Sequence, residues 1–181
     1  IMDGSSFPFV EKLELVGIEI LKLDRKILIV NKEVQVNNND SFARIVPNKQ
    51  FSIDFQIDFK SSLINKQACQ LQLINGNYKS DISTARTFGF EKDVDYLRSN
   101  GLALGGSLDN AVVVGEYNIL NKEGLRFEDE FVRHKILDSI GDLYLAGNPI
   151  HGYFYGNKSG HYLNNQLLRK LFSDKSNFDL I

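Results

Sequence analysis

The sequence predicts an α+β fold: a two-layer sheet/helix domain with an inserted βαβ unit. Three observations predict it. Phe51-Ser52-Ile53-Asp54-Phe55-Gln56-Ile57-Asp58-Phe59 alternates with strict period two, which puts five apolar side chains on one face of a strand. Glu128 to Ala146 and Leu163 to Phe172 carry the periodicity of amphipathic helices. Ahead of both, a strand, a short helix and a second strand follow one another with glycines at 101, 105 and 106 between them.

In chain order, Pro8 suits the first turn of a helix through Phe9 to Val16, with Gly17 as its stop. Ile18 to Asp24 reads as a connection. Lys26 to Val36 is rich in β-branched residues and forms two short strands broken near Asn31-Lys32. Asn37 to Asp40 is a turn and Ser41 to Val46 a strand. After the alternating strand, Gln67 to Ile74 repeats its pattern more weakly, and Asn75-Gly76-Asn77 turns the chain. Ala85 to Phe90 reads as a strand and bend, and Glu91 to Asn100 as a helix ended by Gly101. Ala111 to Val114 is a strand. Gly147 stops the long helix, with Pro149 just beyond. Ile150 to Tyr155 is a strand, and Gly156 to His161 a turn into the last helix.

The chain has 181 residues, enough for one large core, and 43% hydrophobic against 24% charged residues is ordinary globular composition. A net charge of -2 and a pI near 5.9 argue against a nucleic-acid partner. Cys69 is the one cysteine, so no internal disulfide forms. No apolar run reaches the ~20 residues of a membrane span, and no segment resembles a signal peptide. The expected location is cytoplasmic.

Within the long helix, His134 and Asp138 are four residues apart, so both side chains leave one face. Asp142 adds a third polar group there. Ile136, Leu137, Ile140, Leu143 and Tyr144 fall opposite. An imidazole and a carboxylate one turn apart can converge on a divalent metal, best zinc. By spacing alone a solvated face with an accidental pair explains them better. A catalytic zinc takes three protein ligands, so a third is required from elsewhere. His161, alone, reads as a surface turn histidine, His151 as structural, and Thr87 as an ordinary hydroxyl at a strand end.

Several phrases together reverse those readings. Ile1-Met2-Asp3-Gly4-Ser5, Ala85-Arg86-Thr87-Phe88-Gly89-Phe90, Leu104-Gly105-Gly106-Ser107, Arg126 to Asp138 and Lys158-Ser159-Gly160-His161 resemble, in order and spacing, the motifs of the LpxC family. Its members are UDP-3-O-acyl-N-acetylglucosamine deacetylases of lipid A biosynthesis. The resemblance implies two similar α+β domains packed with their helices between them. It implies that residues 1–24 are the final helix of the first domain and a linker, and that 25–181 are the second domain. An insert at about 87–114 would form a hydrophobic passage for the substrate's acyl chain.

The resemblance also implies site roles. His134 and Asp138 would be two of three zinc ligands. His161 would be the general acid for the leaving amine, with water activated by zinc attacking the acetamide. Thr87 would support the oxyanion. Lys135 and Asp142 would stand around the metal and the catalytic histidine. Phe88, Phe90, Leu102, Leu108 and Val113 would line the acyl route, and Asp58 and Phe59 would lie near the nucleotide of the acylated UDP-sugar. One departure is large. The family's third ligand and general base are a Glu-His pair, which is absent here, and all three histidines follow residue 133. The missing N-terminal domain would come from upstream or from another chain. A non-catalytic domain binding a nucleotide sugar or a protein partner is the alternative.

Overall fold

The computed structural model describes residues 2–74 and 76–181; Ile1 and Asn75, both named in the phrases above, lie outside the described residues. Strand β8, Ile150–Asn157, organises the sheet. It pairs antiparallel with β3, Ser41–Val46, and parallel with β4, Phe51–Asp58. Its first two residues pair with β1, Leu28–Val30. β2, Val34–Asn38, lies on β3, and β5, Lys66–Gln72, on β4. β9, Phe178–Leu180, flanks β1.

The alternating strand behaves as its pattern dictates. Ile53, Phe55 and Ile57 are buried, with Phe51 and Phe59 half-buried beside them. The opposite face is polar. There Gln70 Nε2 donates to the Tyr153 hydroxyl at 2.6 Å, and Arg44 lies 4.6 Å over the Tyr155 ring. An antiparallel-rich sheet covered on one side reads this way. Helix α4, Glu130–Leu143, packs on β4 and β5, and α5, His161–Phe172, packs on β2 and β3. Phe131, Val132, Ile136 and Leu143 of α4 are buried, each contributing about 1.5–3 kcal/mol against water. Tyr144 departs from the expected apolar side. The helix tightens into a 3-10 turn at Tyr144–Ala146, and the ring is exposed.

β8 runs two residues beyond its expected end, because the predicted Gly156 turn is central strand. A Cβ on Gly156 would sit 2.5 Å from Cδ2 of Phe55 and 3.0 Å from Cε1 of Phe154. Glycine is there so that two rings can cross the backbone. Gly156→Ala is expected to cost about 1–3 kcal/mol by overpacking, read as a fall in thermal midpoint.

The insert is a βαβ unit. β6, Phe88–Phe90, pairs parallel with β7, Val112–Val114, across a 3-10 turn at Glu91–Asp93 and α3, Val94–Ser99. Asn121 latches it to the domain. Its Nδ2 donates to the carbonyls of Leu108 at 2.8 Å and Ala111 at 2.9 Å, and its Oδ1 accepts from Val113 N–H at 2.8 Å. At the start of the chain, α1, Phe7–Val16, has no buried residue. Its entry is tied by Ser6 and Phe7 N–H groups donating to Ser83 O. α2, Asn77–Asp81, follows β5. Among the described residues no helix is long and apolar enough to cross a membrane.

Candidate metal and acid–base site

α4 carries the chemistry because its four-residue spacing aims polar groups along one side. His134 is buried, which removes the solvated-face explanation for the His134–Asp138 pair. Its Nε2 lies 3.3 Å from Asp138 Oδ1. Two donors each ~2.1 Å from a tetrahedral zinc would lie ~3.4 Å apart, so the two atoms already stand at the edge length of such a site. His134 Nδ1 lies 3.2 Å from Ala85 O. Both neighbours of the ring only accept, but Nδ1 is the nitrogen in hydrogen-bond contact, so the neutral ring that fits a metal is the Nδ1–H tautomer, with the Nε2 lone pair toward Asp138 Oδ1. Burial pushes the imidazole below its usual pKa, against the opposing pull of Asp138 and Ala85 O. A neutral ring is the form that a metal takes.

The donor set therefore fits two corners. Among the described residues, no group of three or more His, Cys, Asp or Glu side chains converges as a metal site. Lys135 Nζ holds the other Asp138 oxygen, Oδ2, at 2.8 Å, which leaves Oδ1 facing the histidine.

One turn further on, His161 Nδ1 lies 2.9 Å from both Asp142 oxygens. His161 is the first residue of α5 and its side chain is 69% exposed, so Nε2 is open to a substrate. Asp142, in the last turn of α4, meets the first turn of α5 through the side chains of His161 and Asn164. Asn164, buried, donates to Asp142 Oδ2 at 2.8 Å and to Ser139 Oγ at 3.3 Å, and accepts from Ser159 Oγ at 2.6 Å. This support was missed in the sequence, where Asn164 reads only as a polar position of an amphipathic helix.

Thr87 sits at the mouth of β6. Its N–H donates to Asp3 O, and its carbonyl accepts from Val112 N–H. Gly4, at φ +77°, comes so close that a Cβ would lie 2.7 Å from Thr87 Cβ. Conformation and packing therefore both demand glycine in that early phrase. The Thr87 hydroxyl has no hydrogen-bond partner among the described residues.

Phe88 stands edge-on to His134, with centroids 6.4 Å apart, and packs on Phe131 at 4.9 Å. Phe59 joins it, 5.7 Å from both Phe88 and Phe90. Phe88 is the ring set against His134, with Phe59 and Phe131 packed on it and Phe90 behind Phe59. Asp58 turns the other way, to Lys158 Nζ at 3.6 Å. Phe90 and Val114 line a cavity of about 690 Å³ that also touches Lys60, Lys92 and Tyr117. Leu102, Leu108 and Val113 are not among its lining residues; the two leucines are exposed on the insert and Val113 is half-buried. A separate cavity of about 380 Å³ holds His151 with Phe51, Leu73 and Ile140, and none of the expected site residues.

Missed as well was a buried ion pair beside the site. Glu130, fully buried, accepts from Arg86 Nε at 2.9 Å and Nη2 at 3.0 Å, from Arg86 N–H at 3.0 Å and from Arg126 N–H at 2.7 Å. The spacing marks Glu130, though not its partner. Glu130, His134, Asp138 and Asp142 form one unbroken series at four-residue spacing.

Comparison with known proteins agrees with these motifs. The profile of the LpxC family, described as UDP-3-O-acyl N-acetylglycosamine deacetylase, matches residues 1–173. A UDP-3-O-acyl-N-acetylglucosamine deacetylase of Syntrophus aciditrophicus is 51% identical over 98% of the chain and 56% of that relative. Proteins of the same name from Shewanella violacea and Vibrio parahaemolyticus are 48% and 49% identical, over 100% and 97% of the chain. The chain spans 60% and 58% of those two relatives. With a family profile over nearly its whole length and half of its residues shared with curated members, the chain belongs to the LpxC family of UDP-3-O-acyl N-acetylglycosamine deacetylases.

Proposed function

We propose that this chain forms the metal-helix half of a zinc-dependent deacetylase acting on a UDP-3-O-acyl-N-acetylglucosamine, in the cytoplasmic steps of lipid A biosynthesis. The observation that carries the reading is the pair His134 Nε2 and Asp138 Oδ1, 3.3 Å apart, on the helix whose next turn bears the Asp142–His161 pair. Residues 25–181 are then the second domain, and residues 1–24 end the first. The exposed apolar side chains of Phe9, Leu13, Val16, Ile20 and Leu23 support that division, since a covering layer would bury them.

His134 and Asp138 would hold the zinc, with the remaining donor and the general base supplied by a segment outside these residues. Zinc, when bound, supplies Lewis-acid polarisation of water and of the amide carbonyl. Thr87 offers its hydroxyl to the oxygen that gains charge as water adds to the carbonyl carbon. His161, held through Nδ1 by Asp142, gives its Nε2 proton to nitrogen as the C–N bond breaks, releasing acetate and the free amine. Lys135 fixes Asp138 in the ligating orientation. Phe88, with Phe59 and Phe90 behind it, excludes water from the imidazole, and Leu102, Leu108 and Val113 of the insert offer apolar surface to the acyl chain. Asp58 stands on the nucleotide side.

The purified chain is expected to bind zinc weakly and to give no deacetylation of the acylated UDP-sugar by itself. Replacing both His134 and Asp138 by alanine should abolish the remaining zinc binding in equilibrium dialysis. Adding the polypeptide that carries the family's Glu-His pair should restore turnover. Robust hydrolysis by the chain alone would refute the division of labour.

A further inference from the structure

Glu130 lies one helical turn before His134, and the two side chains meet the same peptide unit from opposite ends. Glu130 Oε1 accepts from the Arg86 N–H at 3.0 Å. The carbonyl of that same peptide, Ala85 O, faces His134 Nδ1 at 3.2 Å. The order of groups is carboxylate, peptide N–H, peptide C=O, imidazole Nδ1–H. The imidazole's Nε2 then faces Asp138.

We infer that Glu130 is a positioning residue for the metal ligand His134, acting through the Ala85–Arg86 peptide as a polarising relay. The inference deepens the zinc-site reading and rests on it. A carboxylate that accepts from an amide N–H draws the amide's electrons toward its carbonyl oxygen, and bonds in such a chain strengthen one another. Ala85 O thereby becomes a stronger acceptor, holds the hydrogen on Nδ1, and leaves Nε2 a richer donor. Metal-bound histidines commonly have a carboxylate on the second nitrogen; here the carboxylate is one peptide further away. Burial makes the arrangement effective, because Glu130 is fully buried and His134 nearly so. Arg86 and Arg126 hold the carboxylate in register with three further hydrogen bonds.

The test has a readout that needs no metal. Long-range ¹H–¹⁵N NMR of the metal-free protein identifies the His134 tautomer, which is expected to be Nδ1–H. An Nε2–H tautomer in the unsubstituted protein overturns the inference whatever the variants do. In Glu130→Gln the Nδ1–H preference should weaken, and zinc affinity from chelator competition should fall about 10–100-fold. The double replacement Glu130→Met with Arg86→Met removes both charges of the pair and leaves only the main-chain N–H groups of residues 86 and 126 without their acceptor, and should reproduce both effects if the single variant does not fold. Glu123→Gln alters only the exposed arm of Arg86 and should change neither readout. A folded Glu130→Gln protein with unchanged tautomer and zinc affinity, or an equal loss in Glu123→Gln, overturns the relay. If Glu130→Gln shifts the tautomer while the unsubstituted protein takes no zinc, the relay stands and the zinc reading falls.

Discussion

If His161 is the proposed general acid, His161→Gln is expected to lower kcat for deacetylation by about 10²–10⁴-fold while leaving KM nearly unchanged, when the chain is assayed together with the polypeptide that carries the family's Glu-His pair. The side chain is exposed and makes no contact that the core needs, so folding should survive. In the proposed role what disappears is a proton donor whose direction is set from behind. Both Asp142 oxygens face Nδ1 at 2.9 Å, and Asn164 fixes Oδ2 at 2.8 Å. Glutamine keeps the polarity and loses the transferable proton. Asp142→Asn should fall in the same direction by a smaller factor, because the ring remains and only its orientation is freed. A parallel rise in KM for His161→Gln would mean that it binds substrate rather than protonating the leaving nitrogen. Steady-state kinetics on the acylated UDP-sugar decides between these.

The fold was legible wherever the period was clear. Ser41–Val46 and the alternating strand lie where the pattern puts them, because one face is buried and a one-residue slip would turn every side chain out. β9 has only three residues and no period to read; its place comes from pairing with β1, roughly 150 residues away in sequence. Gly156-Asn157 has turn chemistry, yet a crowded core asks for glycine at the same place. His161 and Tyr162 begin α5 ahead of its apolar period because both face solvent.

The site divides in the same way. His134 with Asp138 follows from helical spacing, since the two share one element. Asn164 with Asp142, and Glu130 with Arg86, join separate elements, and spacing says nothing of such pairs. The acyl-route residues were named by resemblance. Phe59, Phe88 and Phe90 come together in one cluster whose Phe88 faces His134, whereas Leu102 and Leu108 stay on the surface of the insert.

Glu130→Ala is expected to destabilise the protein by about 3–5 kcal/mol, because it strands the buried end of Arg86. Glu130 and Arg86 side chains are 0% and 4% exposed, so water cannot replace the lost acceptor. Arg86 keeps Glu123 and the Gly124 carbonyl, which limits the damage. Of the four donors to Glu130, three lose their partner at once, Arg86 N–H, Arg86 Nε and Arg126 N–H, while Arg86 Nη2 keeps the Gly124 carbonyl. For a chain of this size the loss corresponds to a fall of roughly 6–20 °C in thermal midpoint. The same group makes stability depend on pH. Burial pushes the Glu130 carboxyl pKa up, but the hydrogen bonds and charge of Arg86 and the two main-chain donors outweigh it, so the net shift is downward. A lowered folded-state pKa means that the unfolded chain binds the proton more readily. The stabilisation is therefore complete above the unfolded carboxyl's value of ~4.3 and is lost as pH falls through the lower folded value. Thermal melts between pH 7 and pH 3 should converge for the native protein and Glu130→Ala at the acid end. Replacing Arg86 by methionine as well, in a Glu130→Met background, should recover part of the loss, since a packed apolar pair avoids stranding a charge. Equal melts for native and Glu130→Ala at pH 7 would mean that the ion pair only breaks even against its own desolvation.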